Sequence, residues 1–172
     1  LGKHIAKLTG WNIDLKHPLF EISVHINDEM VVAGIPLSRE PLSKRGYILH
    51  SGLRSPVAWI LGYLTQIQPG DIILDPMCGK STILIEAVKC LQPNAVYFGI
   101  DRNHQQLKTA QANVQFVACQ NNINLLLSNG LDLPFKSGSV DKVICDAPFG
   151  EKHKIASDIH QFCYKLLQET QR

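Results

Sequence analysis

Three short apolar runs, each ending in an acidic residue, constrain the fold of this chain more than any other feature. Residues 72–75 are the first run, and a loop with Pro76 and Gly79 leads from it into a helical pattern. The other two runs end at Asp101 and Asp146, and each is followed by a further helical pattern. Apolar strands that alternate with helices form parallel sheets with right-handed crossovers. Because loops after parallel strands share one edge of the sheet, we expect the three acids to meet in one crevice.

This alternation predicts an α/β fold with four parallel strands, ordered third, second, first, fourth across the sheet. The predicted strands are residues 71–75, 95–100, 122–127 and 140–146. The helices that follow them are expected at residues 81–91, 103–117 and 155–170. One more helix precedes the sheet, with Ser55 as its N-cap and Pro56 at its first position.

The N-terminal part of the chain has a different pattern. A helix is expected to end at Gly10, and the alternating segments 20–26 and 30–35 predict a β-hairpin. Residues 36–47 contain two prolines and three basic residues. We interpret them as a solvated surface linker, with contact to phosphate as the alternative.

Composition narrows the class of protein. With 172 residues, 45% of them hydrophobic, the chain is long enough for one domain and part of another, and disorder is not expected. The net charge of +2 is too small to indicate nucleic-acid binding by itself. No apolar run reaches the ~18 residues of a membrane span, and we expect no signal peptide. The 5 cysteines include no close pair, and the histidines no i, i+4 pair. We therefore expect reduced thiols in an intracellular protein of the cytoplasm or nucleus, and no metal site.

The loop after the first strand admits two interpretations. Gly79-Lys80-Ser81 matches the end of the phosphate-loop pattern G-x-x-x-x-G-K-[ST]. However, the first glycine of that pattern would fall at Leu74. Pro76 also lacks an N–H group that a phosphate cradle would use.

In the second interpretation the loop binds S-adenosylmethionine. Asp75 and the loop amides would orient the amino-acid end of the cofactor, and Gly79 would allow its close approach. Asp101 favours this interpretation, because a carboxylate at the end of the second strand can accept both hydroxyl groups of a ribose. A phosphate-loop enzyme needs no acid there. The competing interpretation of Asp101 is an ordinary helix N-cap.

The segment Asp146-Ala147-Pro148-Phe149 is suited to methylation of a planar exocyclic amine. The lone pair of such an amine is delocalised into the ring, so two acceptors must hold its hydrogens while the lone pair turns toward the methyl group. Asp146 would supply a carboxylate, Ala147 a carbonyl fixed by Pro148, and Phe149 a ring that stacks on the base. A base in a duplex would first be extruded, at a cost of a few kcal/mol. The competing interpretation is a strand that simply ends in a turn.

In these motifs the sequence resembles the THUMP domain-containing RNA guanine-N2-methyltransferases. The resemblance is carried by LRSPVA (53–58), LDPMCG followed by TILIEA (74–87), LPFKSGSVD (133–141) and DAPFG (146–150). It implies a Rossmann-like class I methyltransferase fold, truncated after the fourth strand and the following helix. The implied domains are a C-terminal THUMP remnant at 1–36, a linker at 37–54 and the N-terminal part of the methyltransferase domain at 55–172.

The resemblance also implies formation of N2-methylguanosine in tRNA or in a small nuclear RNA, with S-adenosylmethionine as the methyl donor. It implies RNA binding by the THUMP domain and a small zinc-binding methyltransferase activator protein as a partner. The truncated fragment alone is expected to be inactive. The implied catalytic residues are Asp146, Ala147, Pro148 and Phe149. The implied cofactor-binding residues are Arg54, Asp75, Met77, Cys78, Gly79, Ser81, Asp101, Arg102, Asn129, Gly130 and Asp132.

The sequence departs from the family pattern within the site. The glycine expected two residues after Gly79 is Ser81, which follows the unusual Lys80. The aspartate expected ahead of LPF is Asn129, whose side-chain oxygen can still accept a hydrogen bond. These departures leave two alternatives to the methyltransferase, a phosphate-loop NTPase and a catalytically silent cofactor- or RNA-binding module.

Overall fold

The computed structural model describes residues 2–38, 40–91, 94–147 and 159–172. The chain divides into two compact units, Leu1–Leu42 and Ser43–Arg172.

The first unit consists of one helix and a two-stranded hairpin. Helix α1 (Gly2–Thr9) ends where Gly10 adopts a left-handed φ of 73°, as predicted from the glycine. Strands β1 (Ser23–Ile26) and β2 (Val31–Gly34) pair antiparallel. Between them, the side-chain oxygen of Asn27 accepts hydrogen bonds from two backbone N–H groups of the turn, at 3.0 and 2.7 Å. The predicted hairpin is confirmed, with strands shorter than predicted.

The second unit is a parallel four-stranded sheet with helices packed on it. In chain order its elements are α2 (Ser55–Leu64), β3 (Ile72–Asp75), α3 (Thr82–Glu86), a π-helix (Ala87–Leu91), β4 (Val96–Asp101), α4 (His104–Phe116), β5 (Ile123–Leu127), β6 (Lys142–Val143) and α5 (Ile159–Gln171). The strand order is β5-β4-β3-β6, with every neighbouring pair parallel. The predicted α/β class and the predicted strand order are confirmed.

The last strand is much shorter than predicted. Residues 140–146 were expected to be extended, but β6 covers only Lys142–Val143. One further ladder bond is formed, from the N–H of Ile144 to the carbonyl oxygen of Leu74 (2.9 Å). Within the described residues β6 pairs with β3 alone, and β3 itself ends at Asp75. The ladder therefore stops before Asp146.

The helix after β3 also differs from the prediction of one α-helix over residues 81–91. Its α-helical part, α3, covers five residues, and the chain continues as a π-helix. Helix α2 differs at its start, because Arg54 is the N-cap and the buried Ser55 is already the first helical residue. Helix α4 lies within the predicted range 103–117, and its N-cap is Asn103, whose side chain accepts from two N–H groups of the first turn. The predicted start of the last helix at residues 155–158 lies outside the described residues.

The core lies on both faces of the sheet. Ile73 and its neighbour Tyr97 on β4 are fully buried in a cluster that includes Leu84 of α3. Leu74 and Ile100 belong to a second cluster with Leu133. This follows from the strand period of two, which sends successive side chains to opposite faces. Within the described residues, no helix is long and apolar enough to cross a membrane.

The segment before α2 was interpreted as a solvated surface linker, and the structure contradicts this for its later part. The guanidinium Nε of Arg45 lies 3.2 Å from a carboxylate oxygen of Glu86, whose side chain is fully buried. The hydroxyl of Tyr47 donates to the same oxygen at 2.9 Å. A buried carboxylate needs such partners, so this segment is a packed part of the second unit. We call residues 45–52 the strap.

Candidate functional site

Three acidic residues end neighbouring strands at one edge of the sheet. Asp75 is the last residue of β3, Asp101 is the last residue of β4, and Asp146 follows β6. Because β3 lies between β4 and β6 and all three are parallel, their carboxyl ends lie side by side. The negative charges of Asp101 and Asp146 are close enough to Asp75 to act on its protonation. The predicted convergence of the three loops is confirmed by this arrangement.

Asp75 is the buried member of the group. Its side chain is only 1% exposed, and one carboxylate oxygen accepts from the N–H of Met77 at 3.1 Å. The pKa of Asp75 is raised to about 7, mainly by burial; the hydrogen bond from Met77 opposes this rise, and the charges of Asp101 and Asp146 add to it. The edge of the sheet thus holds a carboxyl group that titrates near neutral pH.

The loop after β3 is fastened to β4 through its backbone. The N–H of Cys78 donates to the carbonyl of Ile100 at 2.8 Å, and the N–H of Gly79 donates to a carboxylate oxygen of Asp101 at 3.0 Å. A Cβ at Gly99 would lie 3.0 Å from the sulfur of Cys78, so the glycine allows this close contact. Burial raises the pKa of the Cys78 thiol, and the charge of Asp75 adds to the effect. Cys78 is therefore a packing residue and carries no thiolate.

The sequence led us to expect that the loop amides orient the cofactor, but most of these amides already have partners within the protein. The N–H groups of Met77, Cys78, Gly79 and Ser81 all donate within the protein. What the loop offers to a ligand is the open space beside Gly79, where an added Cβ would meet nothing within 4 Å, together with the acidic side chains.

Ser81 has a conformation that serine rarely adopts. Its φ is 60° and its ψ is 26°, in the left-handed region, at the position where the family pattern has glycine. Its side chain is fully buried, and its hydroxyl forms no hydrogen bond of normal geometry, although it lies near the Cys78 sulfur. The loop thus keeps the backbone shape of a glycine while it carries a serine.

Lys80 points away from the loop. Its ammonium group donates to the carbonyl oxygen of Ser51 in the strap at 2.7 Å. A phosphate-loop lysine would instead extend over the loop toward a phosphate. Nothing in the described site favours the phosphate-loop interpretation.

Asp101 is not the helix cap that competed with the ribose interpretation. Asn103 caps α4, while the two oxygens of Asp101 accept from the N–H groups of Gly79 (3.0 Å) and Asn103 (2.8 Å). Each oxygen has a second lone pair, so both can still accept from a ligand. Arg102 is exposed next to it.

The loop after β5 supplies the next predicted residues. The side-chain oxygen of Asn129 accepts from the N–H of Leu131 at 3.1 Å, and Asn129 forms an isolated bridge with Asp132. Both side chains are exposed. A Cβ at Gly130 would overlap the carbonyl oxygen of Pro76, so this glycine brings the loop against the loop after β3. Gly130 acts here through its backbone.

The remaining predicted residues are less enclosed. Asp146 is exposed and Ala147 is half-buried, while Pro148 and Phe149 lie outside the described residues. Arg54 is exposed at the start of α2. Sequence analysis missed two buried polar residues next to the loop, Glu86 and Asn113. The only sequence signal was a polar side chain at a core-facing position of an apolar helical pattern.

Comparison with known proteins identifies the family. Residues 43–172 match the family described as UPF0020, RMKL-like methyltransferase domain. The chain belongs to this family. The matched range has the same bounds as the second unit of the structure.

Curated relatives of this methyltransferase family extend the match. The U6 snRNA (guanine-N(2))-methyltransferase THUMPD2 of Bos taurus is 42% identical over 172 residues, which is 100% of this chain and 33% of the relative. The tRNA (guanine(6)-N(2))-methyltransferase THUMP3 of Bos taurus is 33% identical over 83% of this chain and 30% of the relative. The chain therefore spans about a third of the length of the curated relatives it matches. The resemblance inferred from the motifs is confirmed.

Solved structures agree with the fold. TrmN from Thermus thermophilus is 25% identical with a TM-score of 0.71, covering 98% of this chain and 48% of TrmN. A possible methylase from Clostridium difficile 630 is 20% identical with a TM-score of 0.69, covering 99% of this chain and 56% of that protein. The second similarity concerns the fold alone. Both confirm the Rossmann-like class expected for the methyltransferase unit.

The strain at Ser81 leads to a first prediction. We expect Ser81→Gly to raise the free energy of unfolding by about 1 kcal/mol, because glycine adopts this backbone without strain and the buried hydroxyl is removed. The gain is reduced by the greater flexibility of glycine in the unfolded chain. Urea denaturation measures the difference. Ala118→Gly is the matched control, since Ala118 has a φ of 59° but no hydroxyl and should be stabilised less. A Ser81→Gly variant no more stable than the wild type would contradict the prediction.

The raised pKa of Asp75 leads to a second prediction. Its carboxyl keeps a proton in the folded state between about pH 4 and 7, where the unfolded chain has lost it, so its contribution to stability falls as pH rises through that range. Asp75→Asn removes this titration. The free energy of unfolding of the variant, relative to that of the wild type, should therefore be higher at pH 8 than at pH 5. Urea denaturation at the two pH values measures this difference.

Asp71→Asn is the control for this experiment. A hydrogen bond from Gln68 and the ion pair with Lys142 lower the pKa of Asp71, so its effect is already complete at pH 5. Asp71→Asn should therefore lower the free energy of unfolding by the same amount at pH 5 and at pH 8. If the Asp75→Asn difference were also equal at the two pH values, the pKa of Asp75 would not be raised.

Proposed function

We propose that this protein is an S-adenosylmethionine-dependent methyltransferase that forms N2-methylguanosine in RNA. The observation that carries the proposal is the meeting of Asp75, Asp101 and Asp146 at the carboxyl ends of three adjacent parallel strands. The names of the curated relatives, which are guanine-N2-methyltransferases of U6 snRNA and of tRNA, support the substrate.

The residues present fit the cofactor. Asp101 has two carboxylate oxygens with lone pairs left for the ribose hydroxyls, and Asn129 has a side-chain oxygen with one left for the adenine amine. Gly79 leaves open space beside the loop, and the ionised form of Asp75 would attract the cofactor's ammonium group. Met77, Cys78, Ser81, Gly130 and Asp132 would shape the cradle, with Arg54 and Arg102 at its rim.

When bound, the cofactor supplies an electrophilic methyl group on a sulfonium sulfur. The carboxylate of Asp146 would accept one N–H of the guanine amine, and the carbonyl of Ala147 would accept the other. Holding both hydrogens turns the nitrogen lone pair out of conjugation and toward the methyl group. Pro148 would fix the carbonyl, and Phe149 would stack on the base. Catalysis would thus rest on positioning and electrostatic stabilisation, with no covalent enzyme intermediate.

The proposal also covers the neighbouring domain, the RNA substrate, a partner protein and the cellular location. We propose that residues 1–36 are the C-terminal part of an RNA-binding THUMP domain and that residues 37–54 are its linker to the methyltransferase domain. The proposed RNA is a tRNA or a small nuclear RNA, and the proposed partner is a small zinc-binding activator protein. The partner is supported only by the resemblance in the motifs. An RNA substrate and five free thiols fit an intracellular location in the cytoplasm or nucleus.

Two substitutions test the proposal in the full natural chain that contains these residues. Asp101→Ala should weaken S-adenosylmethionine binding by at least about tenfold, because hydrogen bonds to a charged acceptor are worth ~1.5–3 kcal/mol and 1.4 kcal/mol is tenfold. Asp146→Ala should leave that affinity nearly unchanged while it lowers methyl transfer to guanosine-containing RNA by about 100-fold or more, because it removes an interaction made in the transition state.

The control is Asp71→Ala, which removes an acid at the opposite, amino end of β3 and should leave both measurements unchanged. Calorimetry measures affinity, and transfer of a labelled methyl group measures turnover. Near wild-type transfer by Asp146→Ala would refute its catalytic role. Cofactor binding by the wild type without any turnover would favour the silent binding module.

A further inference from the structure

Asn113 is a buried polar residue that contacts the loop after β3. We call this loop, residues 76–81, the cofactor loop. Its side chain, on α4, is fully buried and forms three hydrogen bonds. The side-chain nitrogen donates to the carbonyl oxygens of His50 (2.9 Å) and Lys80 (3.0 Å), and the side-chain oxygen accepts from the N–H of His50 (2.7 Å). One amide group thus joins the strap, through His50, to the cofactor loop, through Lys80.

The strap contacts the same stretch of the loop at two further places. The ammonium of Lys80 donates to the carbonyl of Ser51 at 2.7 Å. At Gly52, an added Cβ would lie 2.6 Å from the hydroxyl oxygen of Thr82, so the backbone of the strap lies directly against the Thr82 side chain. The strap therefore packs along the residues that lead from the loop into α3.

The other end of the strap is held by Glu86. Arg45 and Tyr47 both contact one of its carboxylate oxygens, at 3.2 and 2.9 Å. The Tyr47 hydroxyl also lies 3.1 Å from the sulfur of Cys90 on the π-helix. The strap is thus bound at both ends by fully buried polar side chains, Glu86 and Asn113.

The contact from Asn113 to Lys80 lies directly next to the left-handed residue of the loop, Ser81. The carbonyl of Lys80 belongs to the peptide group that enters Ser81, which is held at a left-handed φ of 60°. A serine does not favour this conformation by itself, and non-glycine residues keep it only where surrounding structure enforces it. Asn113 fixes the direction of that peptide group.

We propose that Asn113 is a positioning residue that holds the loop over residues 79–81 in its cofactor-binding shape, and that the strap is a structural part of the cofactor site. Asn113 acts through the backbone of Lys80. Its effect on cofactor affinity rests on the proposed function. Removing the amide leaves the carbonyls of His50 and Lys80 with one partner fewer and frees the peptide group at Lys80 to relax toward a conformation that serine prefers.

A double-mutant cycle in the full natural chain tests this mechanism. Asn113→Ala should weaken S-adenosylmethionine binding by about tenfold, the effect of losing ~1.4 kcal/mol. Ser81→Gly should recover most of that loss in the Asn113→Ala background, a larger gain in affinity than the same substitution gives in the wild-type background, because glycine adopts the left-handed φ without support from Asn113. Asn124→Ala, which removes an exposed asparagine of β5, is the matched control and should bind normally. Unchanged affinity in Asn113→Ala, or additive effects of the two substitutions, would overturn the proposal.

Hydrogen exchange without cofactor separates this proposal from the proposed function. In Asn113→Ala the N–H groups of Gly79 and Ser81 should exchange at least about tenfold faster, while the N–H of Tyr97 in the sheet stays protected. A loss of protection at all three sites would indicate general destabilisation and would overturn the proposal. If the wild type binds no S-adenosylmethionine, the proposed function fails, and the exchange pattern still decides the role of Asn113.

Lys80→Ala serves as a second probe if Asn113→Ala does not fold. It removes the ammonium contact to Ser51 without opening the core, and it should also speed exchange at Gly79 and Ser81. Unchanged exchange at both sites in this variant would overturn the structural role of the strap.

Discussion

The placement of β3 between β4 and β6 in a parallel ladder is the constraint on which the rest of this structure depends. The pairing of Leu74 with Phe98 on one side and with Val143 on the other sets the register of three strands. With the register set, Asp75, Asp101 and Asp146 come to one edge, since each lies at or just beyond its strand. The hydrogen bond from Gly79 to Asp101 then fixes the first loop to the second strand. Without the ladder these acids would be scattered over a long stretch of chain.

The same arrangement concentrates negative charge. A carboxyl as buried as Asp75 is costly to ionise, and two further acids nearby increase that cost. The ammonium group of Lys80, the cation within the loop, donates to the carbonyl oxygen of Ser51 in the strap instead of contacting these acids. In the proposed function the positive ammonium and sulfonium groups of S-adenosylmethionine would relieve this repulsion, so the site would gain more from a cationic ligand than from an anionic phosphate. The charge pattern and the direction of Lys80 both favour the methyltransferase over the phosphate-loop enzyme.

Sequence patterns were sufficient for the features that depend on local chemistry. The strand order, the acids at the strand ends and the helix end at Gly10 follow from periodicity and capping preferences, which act over a few residues. The length of β6 was mispredicted because an apolar run extends as a strand only where a partner strand faces it. The strap was mispredicted because it overlaps the segment 36–47, whose prolines and basic residues resemble a solvated linker. Its buried partners Glu86 and Asn113 lie about 40 and 60 residues further along the chain. The left-handed Ser81 was anticipated as a departure from glycine, but its retained backbone shape depends on contacts with distant segments.

Titration of the full natural chain with S-adenosylmethionine and, separately, with ATP and Mg²⁺ tests the central claim that the three loops form a methyl-donor site. Calorimetry should detect saturable binding of S-adenosylmethionine that needs no divalent cation, and no binding of ATP. Magnesium-dependent binding of ATP, with no heat from S-adenosylmethionine, would contradict the claim.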